Sequence, residues 1–194
     1  MIYSSNDRVA GWEDMTPRER VVYLTKATGV LPCIKLRERD DYLAYAQAMH
    51  DGGARVIEIT MTSPDALAAI GRISEAFSDQ LYVAAGTVLD VTTAREVILA
   101  GGRLIVSPVI LPEVIDLAHR YGAACYPGAF TATECLRAMQ AGADMVKIFP
   151  AQLGGPKYMT NLRIVFPDVN LIPSGGINET NAAEYIRCGA RAVS

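Results

Sequence analysis

The stretch DMVKIFPAQ, residues 144–152, places Lys147, one of only four lysines in the chain, inside an apolar run. An unpaired ammonium is costly to bury, so a lysine there needs a partner or a chemical task. Upstream, RVIEITM places Glu58 in a second apolar run. Side chains alternate along a strand, so Lys147 shares a face with Met145 and Phe149, and Glu58 with Val56 and Thr60. If both faces turn inward, an ammonium and a carboxylate enter one closed pocket. Burial disfavours the charged form of a lysine and frees a neutral amine to attack carbonyl carbon. A Schiff base on Lys147 is the expected chemistry, with Glu58 moving protons between water, substrate carbon and hydroxyl, directly or through one water. A buried structural ion pair is the competing reading.

Other polar residues fall late in strand-like runs: Lys35, Thr60, Thr62, Thr87, Ser107, and Ser174 just before Gly175 and Gly176. Thr87, in AAGT, suits a substrate carboxylate through its hydroxyl and nearby backbone N–H groups, or simply caps a turn. The glycine pair of IPSGGI suits phosphate bound by backbone amides, or ordinary turn chemistry. His50 and His119 read as surface or helix-capping residues, and Tyr121, Tyr126 and Tyr158 have no distinguishing spacing. Asp40-Asp41 reads as a helix start, and no HxH, HxxxH or carboxylate cluster offers metal ligands, so neither metal nor other cofactor is expected. Cys33, Cys125, Cys135 and Cys188 form no CxxC pair and read as small core residues of a protein in a reducing cytoplasm.

The elements that must position these groups show as a repeat: a helix-like segment ends in glycine and an apolar run follows. DGGARVIEIT, LAGGRLIVSP, RYGAACYPG, QAGADMVKIFP and RCGARAVS share the pattern, and glycines 53, 102, 122, 142 and 189 suit the left-handed residue that ends a helix. Helix starts are expected at Asp40, Ser63-Pro64, Asp90 and Thr131. Eight strands result, VLPCIKL, RVIEITM, LYVAAGT, RLIVSP, AACYPG, DMVKIFP, VNLIPSGG and RAVS, each but the last followed by a helical pattern. This is the count of a (β/α)8 TIM barrel, whose chemistry sits at the C-terminal ends of its strands; an open doubly wound sheet is the rival fold. MTPRERVVYLTKAT supplies an extra N-terminal helix expected to plug the barrel bottom, and residues 1–194 read as a single barrel domain. The sequence stops at Ser194 inside the eighth strand, so the eighth unit is expected to be truncated.

Composition narrows the partners. With 51% hydrophobic and 20% charged residues and a net charge of −3, there is enough apolar material for a core and no basic excess for nucleic acid or an acidic membrane. No signal-peptide pattern opens the chain and no apolar run reaches the ~18 residues of a membrane span, so a cytoplasmic protein is expected.

VIEITM, AAGTVLD, LIVSPVI, YPGAFTATE, VKIFPA, GGPKYMTNL and IPSGGINETN resemble, in order and interval, the 2-keto-3-deoxy-6-phosphogluconate (KDPG) and 4-hydroxy-2-oxoglutarate (KHG) aldolase family, from about Val30 onward. The resemblance implies a (β/α)8 barrel, a homotrimer, and metal-independent class I cleavage of a keto acid to pyruvate and an aldehyde. It makes Lys147 the Schiff-base residue and Glu58 the proton-transfer residue. It gives Thr87 the substrate carboxylate and carbonyl end, Pro108 the pocket floor, and Gly175 and Gly176 the substrate phosphate. Departures bear on the substrate. Met61-Thr62-Ser63 stands where the family often has an arginine-bearing LRT, Lys35 replaces a first-strand arginine, and Val109-Ile110 follows the SP motif in place of glycine. The serine that completes the family's phosphate site falls beyond Ser194. The YPG and TATE patterns lean towards the galactonate branch. A sugar-phosphate isomerase or synthase, with Lys147 acting electrostatically, and a non-catalytic sugar-acid-binding barrel are the alternatives.

Overall fold

The computed structural model describes residues 11–38 and 40–194. Helix α1 (Pro17–Thr28) leads into β1 (Cys33–Ile34), α2 (Tyr42–Asp51), β2 (Val56–Thr60), α3 (Ala66–Phe77), β3 (Tyr82–Gly86), α4 (Val91–Leu99), β4 (Leu104–Val106) and α5 (Pro112–Arg120). There follow β5 (Ala124–Tyr126), β6 (Gly128–Ala129), α6 (Ala132–Gln140), β7 (Val146–Ile148), α7 (Ala151–Val165), β8 (Leu171–Pro173) and α8 (Ala182–Arg187). Every strand pair is parallel, in the orders β1-β2-β3-β4-β5 and β6-β7-β8.

Two joints close these sheets into one ring. β5 and β6 are the halves of a single barrel strand interrupted at Pro127, which lacks an N–H: β5 pairs with β4, β6 with β7, and the Pro127 carbonyl accepts from Lys147 N at 2.9 Å. At the other joint the segment 191–194 lies between β8 and the residues before β1. Arg191 N donates to Leu171 O and Ser194 N to Pro173 O, both at 2.9 Å, while Leu31 N donates to Val193 O at 2.8 Å. RAVS therefore occupies the eighth position of a (β/α)8 barrel, and the open-sheet alternative is excluded by this closure.

The alternation of side chains sorts the apolar residues into layers. Ile57, Ile59, Val83, Ala85, Ile105 and Cys125 point outward and pack with residues of α2 to α5, and Val146, Ile148 and Leu171 do the same against α6 to α8. The opposite faces, Val56, Tyr82, Leu104, Ala124, Met145 and Ile172, fill the lower barrel together with Val21 and Leu24 of α1. Thus α1 is the expected plug. It starts on a capping box between Thr16 and Glu19 with Pro17 in its first turn. A buried hydrogen bond ties it to the wall: the Tyr126 hydroxyl donates to Thr25 Oγ1 at 3.2 Å, and burial pushes the Tyr126 phenol well above its ordinary range.

Several local expectations shift by a residue or change character. Gly53, Gly122, Gly142 and Gly189 have positive φ, but at the second joint, before β4, the left-handed residue is Gly101 (φ 108°) and not Gly102, whose missing Cβ instead leaves room for Val97. Asp41, one residue after Asp40, caps α2 by accepting from Ala44 N, and α3 begins after Asp65 rather than at Ser63-Pro64. Asp90 and Thr131 cap α4 and α6 as expected. His119 neither caps a helix nor stands free: it is half-buried and meets Asp144 Oδ2 at 3.1 Å, beside Arg18 Nε at 2.8 Å from Oδ1. Among the described residues no helix is long and apolar enough to cross a membrane.

Leu24 is 2% exposed within the lower barrel. Leu24→Ala is expected to lower unfolding free energy by about 2–5 kcal/mol, read by urea denaturation.

Candidate active site

Lys147, central in β7, and Glu58, central in β2, both turn into the barrel above the apolar fill, with Nζ 3.8 Å from Oε1. They are 8% and 1% exposed. The Lys147 ammonium end also stands 5.5 Å over the Phe149 ring. The geometry excludes an outward-facing lysine and joins the two groups singled out from sequence.

Glu58 fits because the neighbouring strand gives way. β2 and β3 run in register with Glu58 opposite Ala84 and Thr60 opposite Gly86, and any Cβ on Gly86 would collide with the Glu58 carboxylate. The glycine of AAGT is thus a seat for Glu58, a role invisible in the sequence because it depends on cross-strand register. The two carboxylate oxygens then differ: Oε1 faces Lys147 and accepts from the Cys33 thiol at 3.3 Å, whereas Oε2 is buried without a hydrogen-bond partner among the described residues. A buried, unpartnered carboxylate oxygen is costly, and here it faces a site where substrate or water can satisfy it.

Cys33 corrects the reading of all four cysteines as core residues. Cys125 and Cys135 are buried, but Cys33 is exposed and lies directly opposite Glu58 in the β1–β2 register. Burial first, then the Glu58 charge, pushes the thiol up to about 12, so it remains a protonated donor at neutral pH.

Beside this pair lies a row of hydroxyls. Thr60 Oγ1 is 3.0 Å from Thr87 Oγ1 and 3.0 Å from Thr62 Oγ1. Thr87 itself adopts φ 59°, a left-handed conformation that costs a β-branched residue about 1–3 kcal/mol. Its hydroxyl is held in the row by that unusual backbone, which goes beyond simple turn capping.

Gly175 and Gly176 follow β8 with φ 91° and 77°, and among the described residues their N–H groups donate to no partner. A Cβ on Gly175 would lie 3.3 Å from the Phe149 ring, so this loop borders the lysine strand. Ser174 is buried at the loop's base. Pro108, after β4, packs its carbonyl against Gly128 and lines a cavity of about 570 Å³ with Phe149 and Arg137, beside the site and not lined by Lys147 or Glu58. Ser107 is buried and its hydroxyl accepts from Val109 N at 3.3 Å. Lys35 is not gathered in: it stands exposed at the rim with no bond to Lys147, Glu58 or Thr87, though the next residue is pinned by Leu36 N donating to Ser63 Oγ at 2.9 Å. A buried amine, a carboxylate with one free oxygen, adjacent hydroxyls and free amides can form an imine, move a proton and hold two anionic ends.

Gly86→Ala is expected to fold with about 1–3 kcal/mol less stability, and its crystal structure should show the Glu58 carboxylate turned from its seat. An unmoved Glu58 would contradict the role given to Gly86.

A sequence model of the KDPG and KHG aldolase family matches residues 21–194. The chain is 38% identical to the 2-dehydro-3-deoxy-6-phosphogalactonate aldolase of Escherichia coli (strain K12), over 77% of this chain and 74% of that protein. It superposes with a TM-score of 0.82 on the KDPG aldolase of Legionella pneumophila, in which pyruvate is captured at low pH as a covalent carbinolamine, at 30% identity over 93% of this chain and 86% of that one. A cube-shaped protein cage designed by fusing symmetric oligomeric domains matches with a TM-score of 0.78 and 36% identity, over 84% of this chain and 62% of the cage chain. Closed barrel, inward lysine and family match agree: the chain belongs to the KDPG and KHG aldolase family.

Proposed function

We propose that this protein is a class I aldolase that cleaves a 2-keto-3-deoxy sugar acid, phosphorylated or not, or a 4-hydroxy-2-oxo acid, to pyruvate and an aldehyde. KDPG or its galactonate epimer, each yielding glyceraldehyde 3-phosphate, is the foremost substrate. The observation that carries this reading is the buried Lys147 Nζ 3.8 Å from Glu58 Oε1 inside the barrel.

Neutral Lys147 adds to the C2 ketone, giving a carbinolamine that loses water to form a protonated imine. The C4 hydroxyl then gives its proton to Glu58, directly or through a water. The C3–C4 bond breaks, its electrons pass into the imine to leave a pyruvate enamine, and the aldehyde departs. Glu58 returns the proton to C3, and water hydrolyses the imine to release pyruvate and the free amine. The imine stabilises the developing carbanion, and Glu58 supplies the general acid–base step. The free Oε2 favours that role, since among the described residues it accepts no hydrogen bond.

The hydroxyl row of Thr60, Thr62 and Thr87 is suited to the substrate carboxylate, and the open amides of Gly175 and Gly176, with Ser174, to a phosphate. Pro108 shapes the floor of the pocket. Lys35 supplies charge from the rim without the bidentate fork of an arginine. The likeness to a cage built from symmetric oligomeric domains, together with exposed Val109, Phe149 and Leu153, supports self-association, proposed as a homotrimer in the cytoplasm.

Borohydride added with pyruvate should fix a mass increase on the peptide bearing Lys147. Lys147→Ala should abolish cleavage, and Glu58→Gln should slow it by about 10²–10⁴. A folded wild-type protein that traps no pyruvate, or a Lys147→Ala variant that still cleaves, would overturn the assignment.

A further inference from the structure

The proposed reaction needs Glu58 to present one oxygen to the substrate repeatedly, and the barrel holds that carboxylate by surprisingly few contacts. Its stem is set by β2, and Gly86 gives it room without bonding to it. Lys147 lies 3.8 Å away, beyond hydrogen-bond length, and becomes part of the imine during turnover. Neither Thr60 nor Thr87 bonds to it; they bond to each other. Among the described residues the remaining tether is the thiol of Cys33, 3.3 Å from Oε1 and opposite Glu58 across the β1–β2 pairing.

We infer that Cys33 is a positioning residue of the aldolase reaction: its S–H holds Glu58 Oε1, leaving Oε2 as the oxygen that exchanges protons with the substrate. This inference rests on the class I aldolase reading and adds to it a donor on the first strand. The two oxygens differ, because among the described residues Oε1 has a donor while the buried Oε2 has none. The thiol persists as a donor at neutral pH because burial and the facing carboxylate oppose its ionisation. A nucleophilic or redox task for Cys33 would need the thiolate, which the same surroundings disfavour.

Valine and serine substitutions separate this role from mere packing. Valine keeps a compact apolar side chain and removes the donor, whereas serine keeps a donor and changes the packing. Two readouts are taken on wild type, Cys33→Val and Cys33→Ser: borohydride trapping of pyruvate on Lys147, and exchange of the pyruvate methyl protons for deuterium, followed by NMR. Trapping reports the amine, and exchange reports proton transfer from the imine. In Cys33→Val, trapping should persist while exchange and kcat fall about five- to thirtyfold with KM changed less than about twofold, the scale of one lost hydrogen bond to a charged group. Cys33→Ser should recover exchange to within about threefold of wild type. Wild-type exchange in Cys33→Val, or a Cys33→Ser variant as slow as Cys33→Val, would overturn the inference. A wild-type protein that traps no pyruvate would instead overturn the aldolase reading beneath it.

Discussion

One ammonium and one carboxylate withdrawn from water into a ring of parallel strands set the terms for the surrounding structure. Removing two such charges from solvent costs more than their mutual attraction readily returns, and losing either partner leaves the other stranded. The pair must therefore be held by groups with few alternatives. β2 and β7 direct it inward, Gly86 makes space for the carboxylate, and Phe149 lies beneath the ammonium. Glu58 Oε2 has no protein donor among the described residues and is open to substrate or water.

The lower barrel gives that pair a rigid base. Tyr82, Leu104, Tyr126 and Met145 fill the interior, and α1 covers it from below through Val21, Leu24 and the Thr25–Tyr126 hydrogen bond. Polar groups and apolar support thus occupy successive layers of the same strands, separated by one step of the pleat: Met145 lies in the lower fill and Lys147 above it, Val56 in the lower fill and Glu58 above it. At the far end from the site, Asp144 joins Arg18, His119 and the Cys125 backbone, bonding the plug helix to the barrel wall.

Much of this was legible in the sequence, for physical reasons that differ by residue. Lys147 and Glu58 stood out because a charge inside an apolar strand is costly and two-residue alternation predicts its facing. The barrel was legible because glycine-terminated helices precede five of the eight apolar runs, although neighbouring glycines left the turn position ambiguous until Gly101 was seen to hold the positive φ. Cys33 and Gly86 were illegible as site residues. Each acts through a partner on an adjacent strand, and one sequence does not state the register that brings Cys33 opposite Glu58 or Gly86 beneath it. His119 was misread because its partner, Asp144, lies 25 residues away. Lys35 shows the converse: its type suggested an anion partner, yet the strand ends before it and leaves it at the rim.

The most direct measurement of the central claim is a crystal structure of the protein soaked with pyruvate at low pH. Density continuous from Lys147 Nζ to the pyruvate C2 atom, with Glu58 Oε2 facing the methyl carbon, is the expected result. Pyruvate bound without that bond, or joined to a different lysine, would contradict it.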